Sequence, residues 1–317
     1  MRAFVINGFG ETGHVGEKPK PVAGQGQLLV RVRTAGVNAM DPIFRAGFAK
    51  DFMEHRFPLT PGLDYAGTVE EVGPGVDGFE VGDEVFGAVG KPYAGEGTFA
   101  EFVAVAAASA AHRPPGLSPD AAAALPTAGG TALAAVDGLD AKPGDTVAVI
   151  GAAGGVGGFA VQLAALRGLK VIAVTRSEHA AYVRELGASD FVDYNAGSLT
   201  DQLRARAPEG LTGIIDVFHD APHLLPLVPA IKPGGRIATP AAMGAAEAFA
   251  GQPVTAVMVR AATDAGSVAE LGRLAAGGKL KVPVEVLPLD QAADAIHRQS
   301  TRGNRGKLVL AVETTGG

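Results

Sequence analysis

The stretch VIGAAGGVGGF, residues 149–159, places five glycines within positions 151–158. The apolar run Thr146–Ile150 before it reads as a buried strand, and Gly157–Arg167 after it reads as a helix. In that strand–turn–helix setting, Ala152-x-Gly154-x-x-Gly157 has the form of a dinucleotide-binding turn, with alanine replacing the usual first glycine. Gly154 lets the backbone approach a pyrophosphate with no Cβ in the way, and Gly157 lets the helix pack close on the strand. The N–H groups of the first helical turn then face the negative charge. Ala152, Ala153, Gly154, Gly155 and Val156 form the expected cradle. A glycine-rich turn that holds no ligand is the plainer alternative.

Working outward, strands and helices alternate. Strands are expected at Val171–Thr175, Asp190–Val192, Gly213–Val217 and Arg236–Thr239, and helices at Glu178–Leu186, Leu199–Arg206 and Leu224–Ile231. A sixth strand is expected at Val284–Leu287, after a helix at Ser267–Ala276. Such alternation predicts an α/β fold with a doubly wound parallel sheet. Residues 1–110 have another texture. Short β-type runs (Ala3–Ile6, Leu28–Ala35, Gly67–Val72, Glu84–Gly87, Thr98–Val105) are punctuated by Gly73-Pro74-Gly75 and Gly82-Asp83, as in an antiparallel unit. Helix Gln291–Gln299 and strand Lys307–Val312 return to that unit.

Composition narrows the function class. The 317 residues are 47% hydrophobic and 19% charged, enough for a sizeable core. A net charge of −6, with no basic run longer than two residues, argues against nucleic acid as a partner. The absence of cysteine excludes disulfides and thiolate metal sites. The opening MRAFVINGFG reads as a strand rather than an apolar leader, and no run of roughly 18 apolar residues could span a membrane. A soluble, cytoplasmic protein is expected.

The end of the second strand reads Thr175-Arg176-Ser177, where a site for NADH would place an acid. Arg176 can pair with a 2′-phosphate and Ser177 can donate to it, so NADPH is the expected cofactor. Read without a ligand, Arg176 is a solvated surface charge.

Across nearly its whole length the chain resembles the medium-chain dehydrogenases/reductases, in particular the zinc-free NADPH:quinone oxidoreductase branch. The resemblance rests on AGVNAMDPIFRAG (35–47), PGLDYAGTVEEVGPGV (61–76), VGDEVFG (81–87), GTFAEFVAV (97–105) and ALPTAGGTAL (124–133). It continues through GAAGGVG (151–157), LGASDFVDY (186–194), KPGGRI (232–237) and GKLVL (306–310). It implies a mainly-β GroES-like substrate domain at 1–121 and 288–317 and a Rossmann domain at 122–287. It also implies hydride transfer from NADPH to a quinone or an α,β-unsaturated carbonyl. A homodimer paired along sheet edges, at Pro253–Val259 or Val284–Leu287, is part of the same implication. Zinc-dependent relatives carry cysteine in place of Asn38 and Gly-His-Glu in place of Gly62-Leu63-Asp64, so no metal is expected here.

Without a metal, a developing oxyanion needs another stabiliser. Asn38 is the first candidate, its amide donating to a carbonyl or to the nicotinamide ribose; a turn-forming asparagine is the alternative. Thr127 opens a helix where the family places cofactor-facing residues, and it equally suits a helix cap. The family's tyrosine within the segment matching Asp41–Gly47 is missing, Ile43 and Phe44 standing there, and Tyr93 is the substitute donor. Phe44, Phe48, Phe52 and Phe57 either wall the acceptor site or pack in the core. Tyr194 matches a tyrosine near the adenosine 2′-phosphate. His219 follows a strand end where relatives carry glycine, Thr239 and Pro240 lie where the carboxamide should rest, and Asn304 sits in a loop that approaches the cofactor. The runner-up activities are a 2-enoyl thioester reductase and a non-catalytic NADPH sensor.

Overall fold

Parallel pairing needs strands that are apolar on both faces, and the run Thr146–Ile150, buried after its first residue, meets that demand. In the computed structural model, which describes residues 1–242, 244–301 and 304–313, the chain forms two compact units. Unit 1 comprises Met1–Thr127, Thr263–Gly278 and Val282–Gly317; unit 2 comprises Ala128–Ala262 and Lys279–Lys281.

Unit 2 holds a six-stranded sheet. Its order is Asp190–Asp193, Lys170–Thr175, Thr146–Ile150, Leu211–Asp216, Ile231–Thr239 and Thr255–Met258, every neighbour parallel. Numbered along the chain this is 3-2-1-4-5-6, the Rossmann order, with its reversal beside the first strand. Ala148, Ile150, Ile172, Val174, Ile214 and Ile237 fill the core on this sheet.

Two sequence expectations are corrected. The sixth strand is Thr255–Met258, whereas Val284–Pro288 pairs with Lys307–Ala311 in unit 1. The segment VEVLP carries exposed Glu285, bonded to Arg298, and so suits a sheet edge with one wet face. Residues 263–278 and 282–287 pack with unit 1. The expected helix Leu224–Ile231 is a single α-turn, Ala221–Leu224, followed by 3-10 turns over Leu225–Ala230. Pro226 and Pro229 lack the N–H groups a continuous α-helix requires.

Unit 1 is built on a seven-stranded sheet, antiparallel except for the pair Val284–Pro288 and Lys307–Ala311. The long strand Gln27–Gly36 pairs with Asp64–Val72, Phe102–Ala106 and Lys307–Ala311. Its alternating Leu28, Val30 and Val32 enter a core with Phe4, Tyr65, Phe99 and Leu310. The short parallel pair of Glu54–Thr60 and Tyr93–Glu96 carried no sequence signal, because both strands are largely polar. Among the described residues no helix is long and apolar enough to cross a membrane.

The segment Lys279–Lys281 is held in unit 2 by buried Gln162 on helix Gly155–Leu166. The Gln162 amide donates to Lys281 O at 3.0 Å and its Oε1 accepts from Lys281 N at 2.7 Å. Gln162→Leu strands both backbone groups, so a loss of about 1–3 kcal/mol is expected in urea unfolding, with faster amide exchange at Lys281. Unchanged exchange there would show that the tether does not act.

Candidate functional site

Strand Thr146–Ile150 ends at Gly151, whose φ of 79° lies in the left-handed region that glycine tolerates. The chain then folds back so tightly that a Cβ on Gly157 would stand 2.1 Å from Gly151 O. A Cβ on Gly154 would meet only Gly151 O at 3.4 Å, so that side of the turn is open to a bulky group. Gly154 is also the N-cap of a twelve-residue helix with no side chain capping its first turn. Ala152 and Ala153 are buried in the turn, and Gly155 and Val156 lie half-buried at the helix start. This arrangement fits a pyrophosphate laid against backbone N–H groups, the expected cradle.

At the neighbouring strand tip, Thr175 is buried and paired in register with Asp193. Ser177 donates from N (2.8 Å) and Oγ (2.5 Å) to Asp193 Oδ2, and Arg176 forms an ion pair with Glu178 at 2.8 Å. The Ser177 bonds, with that of Asn195 N, hold the Asp193 carboxyl below its usual range. The acid missing from the second strand is thus supplied by the third, next to the residues expected to grip a 2′-phosphate. Tyr194 follows it and is exposed.

The fourth strand ends at Asp216, in register with Ile150 and completely buried. Its carboxylate accepts from Phe218 N and His219 N and lies 2.7 Å from His219 Nδ1. A carboxylate only accepts, so the imidazole carries its hydrogen on Nδ1 in this arrangement. Sequence reading named His219 and missed Asp216, which orients it. Thr239 is buried, its Oγ1 accepting from Ala241 N, and Pro240 follows half-buried.

In unit 1 the structure gathers Asn38, Asp41, Asp64, Thr127 and Lys307. The fully buried Lys307 ammonium donates to Val37 O (2.5 Å) and Asn38 Oδ1 (2.6 Å). The Asn38 amide donates to Asp64 Oδ2 (3.0 Å) and Gly36 O (3.3 Å). Asp64 Oδ1 accepts from the N (3.0 Å) and the Oγ1 (2.5 Å) of Thr127, and Asp41 accepts from Asn38 N and Gly62 N. Burial raises the Asp64 carboxyl and pushes Asp41 up to about 7, against the pull of backbone donors and Lys307. Burial lowers Lys307, while both carboxylates oppose that shift. Both Asn38 amide hydrogens are committed inside this network, so a ligand carbonyl would have to displace one of them. Lys307, Asp64 and Asp41 were absent from the sequence candidates, although each is a charge set in an apolar run.

The remaining candidates lie elsewhere in unit 1. Tyr93 donates its hydroxyl to Glu96 at 2.8 Å, which with burial raises its pKa. Phe44 is buried, whereas Phe48, Phe52 and Phe57 are exposed, so core packing holds for Phe44 alone among the four. Asn304 donates to Arg298 O, closing its own loop. Among the described residues no three His, Cys, Asp or Glu side chains are grouped to hold a metal ion.

Residues 24–115 match the family model described as alcohol dehydrogenase GroES-like domain, and residues 155–273 match that described as zinc-binding dehydrogenase. The chain is 37% identical over 199 residues to a mitochondrial NAD(P)H oxidoreductase of Homo sapiens, covering 57% of this chain and 50% of that one. It is 34% identical over 204 residues to a chloroplastic quinone oxidoreductase of Triphysaria versicolor, covering 61% of each. The chain therefore spans about half the length of the human relative it matches. The solved quinone oxidoreductase from Coxiella burnetii superposes with a TM-score of 0.89 at 28% identity, covering 99% of both chains.

The buried cluster is testable by Lys307→Met. Removing one partner leaves two buried carboxylates uncompensated, at an expected cost of about 3–5 kcal/mol. Burial raises both folded-state carboxyls, Asp41 to about 7, so the folded form binds more protons than the unfolded one from the ordinary carboxylate range upward, as far as about 7 at Asp41. The urea midpoint of the variant should therefore recover toward wild type as pH falls from 8 to 5.5. A deficit that grows on acidification would contradict the assignment.

Proposed function

Because the chain belongs to the medium-chain dehydrogenase/reductase family, we propose that it is an NADPH-dependent, zinc-independent reductase of quinones or α,β-unsaturated carbonyls. The observation that carries the reading is the open backbone cradle at Gly154, beneath an uncapped helix start. When bound there, the nicotinamide cofactor supplies the hydride, and a proton from solvent or a side chain completes the reduction. This chain's residues then bind and orient. Gly154 to Val156 hold the pyrophosphate, Arg176 exchanges its exposed pair with Glu178 for the 2′-phosphate, and His219, fixed by Asp216, borders the ribose. Thr239 and Pro240 bound the carboxamide.

In unit 1, Asn38 acts as a positioning residue linking Lys307 to Asp64, with the Thr127 hydroxyl at the end of that chain. Zinc independence is supported by the same geometry. An ammonium sits 2.6 Å from Asn38 Oδ1, at the position where zinc-dependent relatives carry a ligand, and it would repel a cation. A homodimer formed along the edge strand Thr255–Met258, where Met258 is half-exposed, and a cytoplasmic setting complete the reading.

One observation favours a second cofactor. Asp193 offers a carboxylate beside Ser177, suited to ribose hydroxyls and repulsive to a 2′-phosphate, as an NADH site requires.

Steady-state kinetics with 1,4-benzoquinone and with an enone test the activity. Turnover of at least one acceptor is expected, and tight NADPH binding without turnover of either would leave a sensor instead. Arg176→Asp should raise the KM for NADPH roughly 10–100-fold with little change for NADH, and Asp193→Asn should shift preference toward NADPH. An unaltered KM for NADPH in Arg176→Asp would overturn the role given to that arginine.

A further inference from the structure

Unit 1 contains a hollow that plays no part in the polar cluster around Asn38. Its volume is about 480 Å³, within the span of small-molecule sites. Four cationic side chains line it, Lys18, Lys20, Arg56 and Lys91, against one carboxylate, Glu96. That concentration of positive charge stands out in a chain whose net charge is −6.

Inside the hollow Lys91 is paired with Glu96 at 2.5 Å, while Lys18, Lys20 and Arg56 also make contacts that leave their charge in place. The Arg56 guanidinium lies 3.5 Å from the centroid of Tyr93, and Lys91 Nζ lies 5.7 Å from the same ring. Lys20 Nζ stands 4.0 Å over Phe102. Aromatic faces attract cations but leave the charge in place. Lys18 is half-buried, and Nζ donates to Pro58 O (2.8 Å), Thr60 Oγ1 (3.2 Å) and Gly95 O (3.1 Å), all neutral acceptors. Burial lowers its pKa, Glu96 opposing and nearby Lys91 adding to the shift. A partly desolvated cation solvated by carbonyls presents a positive potential that an anion would relieve.

The carboxylates that pair with Lys20 and Arg56 belong to Glu70 and Glu54, neither of which lines the hollow. Exposed pairs of this kind contribute roughly 0–1 kcal/mol, so a multiply charged ligand can replace them. Glu96 already balances Lys91, and a single ligand carboxylate would balance one of the other three cations, whereas one phosphate carries about −1.5 to −2 charges. The planar fork of Arg56 matches phosphate geometry. We propose that this hollow is a binding site for a phosphate-bearing small molecule, its phosphates on Lys18, Lys20 and Arg56 and its apolar part against Phe57. A free diphosphate and a phosphorylated thioester carrier share that chemistry. The second would make the acceptor a 2-enoyl thioester.

The test is calorimetric titration of the full chain, in saturating NADPH to occupy the glycine turn, with inorganic pyrophosphate and with coenzyme A. Saturable binding that weakens with added salt is expected, and at least tenfold weaker binding in Lys20→Glu and Arg56→Glu. NADPH titration of each variant should match wild type, which shows that the fold is kept. Tighter binding of coenzyme A than of pyrophosphate supports the site and identifies a thioester carrier. Equal binding supports it as a diphosphate site. No saturable binding of either probe, or binding unaffected by both charge reversals, overturns the proposal. Benzoquinone turnover measured alongside keeps the outcome separate from the hydride-transfer reading, since the two can fail independently.

Discussion

The buried ammonium of Lys307 constrains unit 1 more than any other single group. An ammonium taken out of water costs several kcal/mol unless its hydrogens and its charge are both answered. Val37 O and Asn38 Oδ1 answer two hydrogens, and Asp41 and Asp64 answer the charge. Meeting these demands fixes the chain from Gly36 to Asp41, because Asp41 in turn accepts from Asn38 N and Gly62 N. It also fixes Thr127, whose N–H and hydroxyl both bond Asp64. Strands far apart in sequence are thereby tied at one point, and the Asn38 amide is locked in a single orientation.

Unit 2 depends on a different constraint, closeness of backbone. The helix Gly155–Leu166 sits where a Cβ on Gly157 would overlap Gly151 O, so the strand–helix turn is set by what glycine lacks. Around that turn the polar groups come from strand tips. Asp216 and Asp193 close the fourth and third strands, and each organises the candidate beside it: His219 in one case, Ser177 in the other. Arg176 and Asp193 stand at neighbouring strand tips with opposite charge, and opposite charges act oppositely on a phosphate.

Unit 1 puts its aromatic residues to several uses. Unit 1 buries Phe4, Phe44, Phe86 and Phe99 but leaves Phe48 and Phe52 in solvent and uses Tyr93 and Phe102 as platforms for cations. A sequence count of aromatic residues cannot separate these uses, because each follows from which neighbours the fold brings to the ring.

Much of the architecture was legible in the chain. Apolar runs such as Thr146–Ile150, the glycines that follow, and the helix at Leu199–Arg206 are local patterns whose meaning lies within about ten residues. They pointed to the doubly wound parallel sheet and, with the longer motifs, to the family. Most of what failed was non-local. Val284–Pro288 went to the wrong sheet because a short strand does not state its partner, and prolines 226 and 229 broke a helix that hydrophobic spacing suggested. Asp64 and Lys307, 243 positions apart by their numbers, form one cluster only after the sheet brings Gln27–Gly36 between their strands. Asp193 reaches Ser177 only through parallel pairing, which sets an acid from the third strand beside a second-strand end that carries none of its own. The sequence by itself determined the fold class and the strand–turn–helix form of the glycine stretch, because backbone propensity and glycine geometry act locally. Which charges face one another was decided by tertiary structure, because electrostatic partnership depends on distance in space and burial, not on separation along the chain.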